Sequence, residues 1–121
     1  MKTVLIVDDS DFMRTLIKKY LAELDVSVVG EANDGNIAVE KYKELSPDIV
    51  TLDIAMLEHN GLDALKEIMQ INPDAKVVVV SSTADMASVV DEALALGALA
   101  VLNKPINKGM LVGIIGGILN E

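Results

Sequence analysis

Apolar residues along the chain follow two spacings in alternation. Short β-rich runs recur five times, and after each comes a longer segment whose apolar residues return every three or four positions. Thr3–Val7 is uncharged and β-branched, the pattern of a strand buried on both faces. Asp11–Leu24 predicts a helix, with Phe12, Leu16, Tyr20 and Leu24 on an i, i+4 stripe and Arg14, Lys18 and Lys19 off it. Val26–Ala32 predicts the second strand. Asn33-Asp34-Gly35 predicts a turn into a helix that runs through Leu45 and stops at Ser46-Pro47. Ile49–Leu52 is the third strand and ends at Asp53, and Leu62–Ile71 is a helix closed by Asn72-Pro73-Asp74. Lys76–Val80 is the fourth strand, followed by a helix over Asp85–Leu96 that Gly97 ends at a left-handed cap position. Leu99–Leu102 and Lys108–Leu119 predict the fifth strand and the last helix.

Strict strand–helix alternation with short connections predicts an α/β fold, a doubly wound five-stranded parallel sheet covered by helices on both faces. The 121 residues suit one domain spanning 1–121. In such sheets, sites form in loops at the carboxyl ends of the strands, where the strand order reverses. Candidate chemistry is therefore expected directly after each strand.

Composition narrows the options. Half the residues are apolar, but only Phe12, Tyr20 and Tyr42 are aromatic, so the core must be aliphatic. Cysteine is absent, which excludes disulfides, thiolate metal sites and thiol catalysis. The net charge of −9, without a basic cluster, excludes a duplex-binding surface, so no direct nucleic-acid partner is expected. The longest apolar run, Met110–Leu119, has ten residues, about half of what a membrane span needs. No signal peptide is visible, and the expectation is a cytoplasmic protein without membrane insertion.

Asp8 and Asp9 follow the first strand, with Asp11 close behind, and Asp53 follows the third. The fourth strand ends in Ser81, Ser82 and Thr83, and the fifth in Asn103, Lys104 and Pro105. Each acid alone reads as a solvated loop residue or a helix cap. Together they place three carboxylates, a hydroxyl and an ammonium on one rim. Carboxylates brought this close repel unless a cation or protons intervene. Too few hard oxygen ligands are present to enclose calcium, and a partly hydrated Mg2+ suits the set better. Asp53 can then act as a nucleophile that forms an acyl phosphate, with Ser81 and Lys104 holding the other phosphoryl oxygens.

These features resemble the receiver domain of two-component systems, specifically the CheY-like single-domain response regulators. The resemblance spans Val4 to about Leu119 and rests on Val4-Leu5-Ile6-Val7-Asp8-Asp9, on Asp48-Ile49-Val50-Thr51-Leu52-Asp53 with Gly61 eight residues on, and on Lys104-Pro105. It implies a flavodoxin-like (βα)5 fold with strand order 2-1-3-4-5. It implies Asp53 as phospho-acceptor, Asp9 as direct Mg2+ ligand, Asp8 as a ligand through water, and the backbone carbonyl of Ala55 as a further ligand. Ser81 takes the place of the family's reorienting hydroxyl and Lys104 that of its lysine, whose bond to proline is cis in the family. The partners implied are a sensor histidine kinase as phosphodonor and a protein target on the helix 4–strand 5–helix 5 face. The chemistry implied is self-phosphorylation and self-dephosphorylation only, not turnover of a separate substrate, in a chemotaxis-type regulator. A receiver excised from a longer regulator or hybrid kinase would read the same, although the tidy ending at Glu121 suits a free-standing protein.

Three departures from the family pattern stand out. Leu57 replaces the usual proline four residues after the acceptor, which implies a looser loop. Val101 replaces the switch aromatic, so an inward-swinging ring cannot relay the signal. Ala55 and Thr83 occupy positions that in the family tune the lifetime of the phosphoryl group. The sole histidine, His59, reads as an exposed bystander, and Met13, Met56 and Met69 read as core filler. The last helix carries Gly109, Gly113, Gly116 and Gly117, each costing roughly 1 kcal/mol against Ala. Leu111, Ile114, Ile115 and Ile118 can pack on the sheet, which leaves Met110, Val112 and Leu119 on the exposed side. That face reads either as a surface for a partner or a weak homodimer, or as a fraying terminal helix. The resemblance favours the interface. Two rival functions are a Mg2+-dependent aspartyl-phosphate phosphatase, for which Ala55 removes the expected general acid, and a flavin carrier, whose phosphate Asp8 and Asp9 would repel.

Overall fold

The computed structural model describes residues 1–54, 61–82 and 87–120. Its elements are β1 (Lys2–Val7), α1 (Asp11–Leu21), β2 (Val26–Ala32), α2 (Gly35–Leu45), β3 (Ile49–Leu52), α3 (Gly61–Ile71), β4 (Lys76–Ser81), α4 (Ala87–Leu96), β5 (Ala100–Asn103) and α5 (Lys108–Leu119). The strands form one parallel sheet in the order β2-β1-β3-β4-β5, as the resemblance implied.

Side-chain alternation along the strands divides the interior into two cores. On β1, Leu5 and Val7 join a cluster with Tyr42 of α2, Leu65 and Ile68 of α3 and Ala93 of α4. Val4 and Ile6 point the other way, to Ile17 and Leu21 of α1 and Leu111 and Ile115 of α5. Both faces of the central strands are thus dry, which explains their aliphatic sequences. The β1–β2 ladder shifts register: Val4 faces Val28 but Leu5 faces Gly30, leaving Val29 as an extra residue. A side chain at Gly30 would press on Leu45, whose Cδ1 lies 2.7 Å from where a Cβ would stand.

Several expectations change in detail. The Phe12–Leu24 stripe is not the buried one: Ile17 and Leu21 are buried, while Phe12 is 71% exposed. Only the start of that stripe lies in solvent; Tyr20 and Leu24 at its end are partly buried against the same core as Ile17 and Leu21. The helix also stops at Leu21, before Leu24. On α5, Val112 and Leu119 are partly buried and only Met110, 57% exposed, is a large apolar group in solvent. Leu119 packs against the α1-side core, as Leu24 does, and not on the exposed side where the Leu111–Ile118 stripe would leave it. Ser46 ends α2 at φ 44°, ψ 55°, a left-handed cap, and not in the extended conformation that a following proline favours. Gly97 has φ 116°, and its missing Cβ leaves room for Met69, whose Cε would otherwise stand 2.7 Å away. Met13 and Met69 are partly buried against the two cores, and Met56 lies outside the described residues.

Candidate functional site

Parallel pairing brings the strand ends to one rim. Val7 is paired with Leu52, so Asp8 and Asp53 leave adjacent strands side by side. The Asp53 N–H donates to the Val7 carbonyl at 2.9 Å, and the Asp8 N–H donates to the Ala32 carbonyl at 3.0 Å. Ser81 is paired with Asn103, and the next amide, that of Lys104, donates to the Ser81 carbonyl at 3.3 Å. The Lys104–Pro105 bond is cis.

Two of the acids, Asp8 and Asp53, are not solvated loop residues. Asp8 is 1% exposed, Asp53 3% and Ser81 0%, whereas Asp9 is exposed. Two buried carboxylates cost several kcal/mol each unless compensated. Lys104 supplies the compensation, with Nζ 2.9 Å from Asp8 Oδ2 and 3.1 Å from Asp53 Oδ2. Burial alone would pull the Lys104 pKa down, but the bonds and charges of Asp8 and Asp53 outweigh it and raise it above the ordinary value. Lysine is therefore held as the ammonium.

The two oxygens of the Asp8 side chain are held differently. Its Oδ1 accepts the Ser10 N–H at 2.9 Å. Its Oδ2 lies 2.9 Å from the Lys104 ammonium, is shielded from solvent and has no further partner among the described residues. Asp8, Asp9 and Asp53 each bring a carboxylate oxygen within 4.8 Å of the others. Three carboxylates against one ammonium leave two negative charges, which one divalent cation would cancel. Oxygen donors, an under-coordinated buried Oδ2 and this charge balance fit Mg2+ better than a soft transition metal.

Asp8, Asp9, Asp53 and Lys104 are thus gathered at one point, and Ser81 joins the rim through the β4–β5 register. Ala55, Leu57, His59 and Thr83 lie outside the described residues. Val101 is partly buried and packs against the core shared by α2, α3 and α4. A wide cleft of about 680 Å³, lined by Met1, Lys2, Asp25 and Asp48 among others, lies at the opposite, amino edge of the sheet, away from this chemistry.

Sequence reasoning missed the supports. Ser10 caps α1 by accepting the Met13 N–H at 3.2 Å while its own amide holds Asp8. Arg14, off the apolar stripe in the sequence, has its Nη1 donating to the Asp8 carbonyl at 2.6 Å. Gly61, noticed for its spacing, starts α3 directly against the Asp53–Ile54 backbone, where any Cβ would overlap the Asp53 carbonyl. An arginine one helical turn past an acidic strand end was the available signal for Arg14.

Comparison with known proteins agrees with this geometry. Residues 4–116 match the response regulator receiver domain family. The chain is similar to the chemotaxis protein CheY of Thermotoga maritima, 50% identical over 111 residues that cover 92% of each chain. It is also similar to the chemotaxis protein CheY of Bacillus subtilis, 44% identical over 117 residues and 97% of each chain. Among solved structures, a chain of the CheX-CheY-BeF3-Mg2+ complex from Borrelia burgdorferi superposes with a TM-score of 0.91 at 31% identity, covering 98% of this chain and 89% of that one. With a buried acidic rim, an inward lysine and a 2-1-3-4-5 sheet already in place, the chain belongs to the response regulator receiver family, as a CheY-like receiver of the chemotaxis type.

Proposed function

We propose that the chain accepts a phosphoryl group from a sensor histidine kinase onto Asp53, in a Mg2+-dependent reaction, and signals by altered protein binding. The observation that carries this is Lys104 Nζ, held between the buried carboxylates of Asp8 and Asp53 beside the exposed Asp9. A Mg2+ ion would be held by Asp8, Asp9 and Asp53, with the Ala55 carbonyl as a further ligand, and would neutralise charge on the phosphoryl group. An Asp53 oxygen forms the new O–P bond as the P–N bond of the phosphohistidine breaks and its imidazole leaves with the electron pair. Lys104 exchanges part of its contact with Asp53 for a phosphoryl oxygen, and the Ser81 hydroxyl donates to another. The reaction is confined to this carboxylate, so the protein acts as a switch and not as an enzyme with a separate substrate. The α4–β5–α5 face is the proposed surface for the output target, with the cytoplasm as the compartment. Among the described residues no helix is long and apolar enough to cross a membrane.

Intact mass after incubation with acetyl phosphate tests the reading. One added phosphoryl group is expected in the parent with Mg2+, and none without Mg2+ or in Asp53→Asn. A folded parent that takes up no phosphoryl group under any of these conditions would leave a receiver that works by binding alone.

A further inference from the structure

We infer that Arg14 is a positioning residue for the acidic rim: its guanidinium fixes the Asp8–Asp9 peptide and ties it to Glu31 on β2. This rests on the reading of Asp8, Asp9 and Asp53 as a Mg2+ site. The Asp8 carbonyl lies just beyond β1, whose last residue, Val7, already gives its own carbonyl to the Asp53 N–H. Arg14 Nη1 takes the Asp8 carbonyl at 2.6 Å. Because the peptide unit is planar, fixing that oxygen also fixes the plane that carries the Asp9 N–H. Asp9 is the exposed member of the triad, with less packing around it than Asp8 or Asp53 has, so its backbone direction matters most for where its carboxylate reaches.

The other edges of the same guanidinium are anchored. Nε donates to Glu31 Oε1 at 3.1 Å, and Nη2 pairs with Asp11 on the same helix. Glu31 is braced in turn, its Oε2 by Lys18 at 2.8 Å and its backbone carbonyl by Lys41 Nζ at 2.6 Å. Lys18 and Arg14 hold the Glu31 carboxyl below the usual glutamate range, which favours its anionic form. The Arg14 side chain is only 13% exposed, as befits a brace and not a solvated surface charge. A planar fork with several donors can join a carbonyl and a carboxylate at once, whereas an ammonium has no such fixed geometry. Groups that orient metal ligands from behind commonly govern affinity by an order of magnitude.

Charge and position predict opposite signs. A cation beside a cation site repels Mg2+, so a role through charge alone makes Arg14→Gln bind Mg2+ more tightly. A positioning role makes it bind more weakly. Isothermal titration with Mg2+ on the parent, Arg14→Gln, Arg14→Lys and Glu31→Gln separates the two. The expected result is roughly tenfold weaker binding in Arg14→Gln, a smaller loss in Glu31→Gln, and incomplete rescue in Arg14→Lys. Tighter binding in Arg14→Gln, or unchanged affinity across the series, overturns the inference. A second readout needs no metal: amide exchange at Ser10, whose N–H is held by Asp8 Oδ1, should speed up in Arg14→Gln and Glu31→Gln. If the parent itself binds no Mg2+, the proposed function fails, and Ser10 exchange alone then decides whether Arg14 orders the loop: faster exchange upholds its positioning of that peptide, and unchanged exchange ends it.

Discussion

The backbone of Gly61 rests against that of Asp53 so closely that a side chain at 61 would overlap the Asp53 carbonyl oxygen and the Ile54 Cα. The obstacle is main chain and not a flexible side-chain tip, so neither partner can yield without moving α3 or the end of β3. Gly61→Ala is expected to destabilise the fold by roughly 1–3 kcal/mol, read as a lower urea midpoint. It should also reduce phosphoryl uptake, because Asp53 moves with its backbone. An unchanged midpoint would mean that α3 can slide away freely.

Thr51 is 1% exposed, paired in the ladder between Ile6 and Val78, and its Oγ1 has no hydrogen-bond partner among the described residues. A buried hydroxyl left in this state costs about 1 kcal/mol or more. Thr51→Val keeps the shape and removes the polar atom, so the melting temperature should rise by a few degrees. A fall would reveal a partner for the hydroxyl, such as an ordered water.

Asp48 and Thr3 hold each other across the amino edge of the sheet. The Thr3 N–H and hydroxyl donate to Asp48 Oδ2 at 2.7 and 3.1 Å, and the Asp48 N–H returns a bond to Thr3 Oγ1 at 3.0 Å. The Thr3 amide bond, foremost, lowers the Asp48 pKa below 3.8. A depressed acid stabilises the fold above its unfolded pKa and loses that contribution as the pH falls through the folded one. Stability should therefore drop between about pH 4 and the folded pKa, and Asp48→Asn should flatten that part of the profile. The effect is expected to be small because the carboxylate is exposed. Identical acid limbs in parent and variant would show that Thr3 holds Asp48 equally well in both protonation states.

Among the described residues, nothing lies within 4 Å of where a Cβ would stand at Gly113 or Gly117. Packing among the described residues does not require them. Ala at either position should stabilise α5 by about 1 kcal/mol, visible in thermal melts. If a target docks by close backbone approach at this face, the same substitutions should weaken its binding while stability rises. No stabilisation in either variant would argue against a well-formed helix at 113–117.

The fold and the centre of the site were legible in the sequence for one reason. Strands buried on both faces admit almost no polar residue, so Asp8, Asp53, Ser81 and Lys104 mark where each strand leaves the core. The supports were not legible because they act through main-chain atoms. Arg14 reaches a carbonyl, Ser10 offers an amide, and Gly61 matters through the absence of a side chain. None of these roles requires a particular hydrophobic period. The buried face of α1 is centred on Ile17 and Leu21, one position on from Leu16 and Tyr20, so the apolar row that begins at Phe12 starts in solvent and only its later members, Tyr20 and Leu24, reach the core.

The extra residue Val29 bears on how this molecule can meet others. It lies on β2, one of the two border strands, and offsets the ladder between Val28 and Gly30. The opposite border, β5, is four residues long. A kinked border on one side and a short one on the other offer little straight, unpaired backbone for a foreign strand to extend the sheet. Such borders disfavour open-ended, strand-by-strand growth of the sheet.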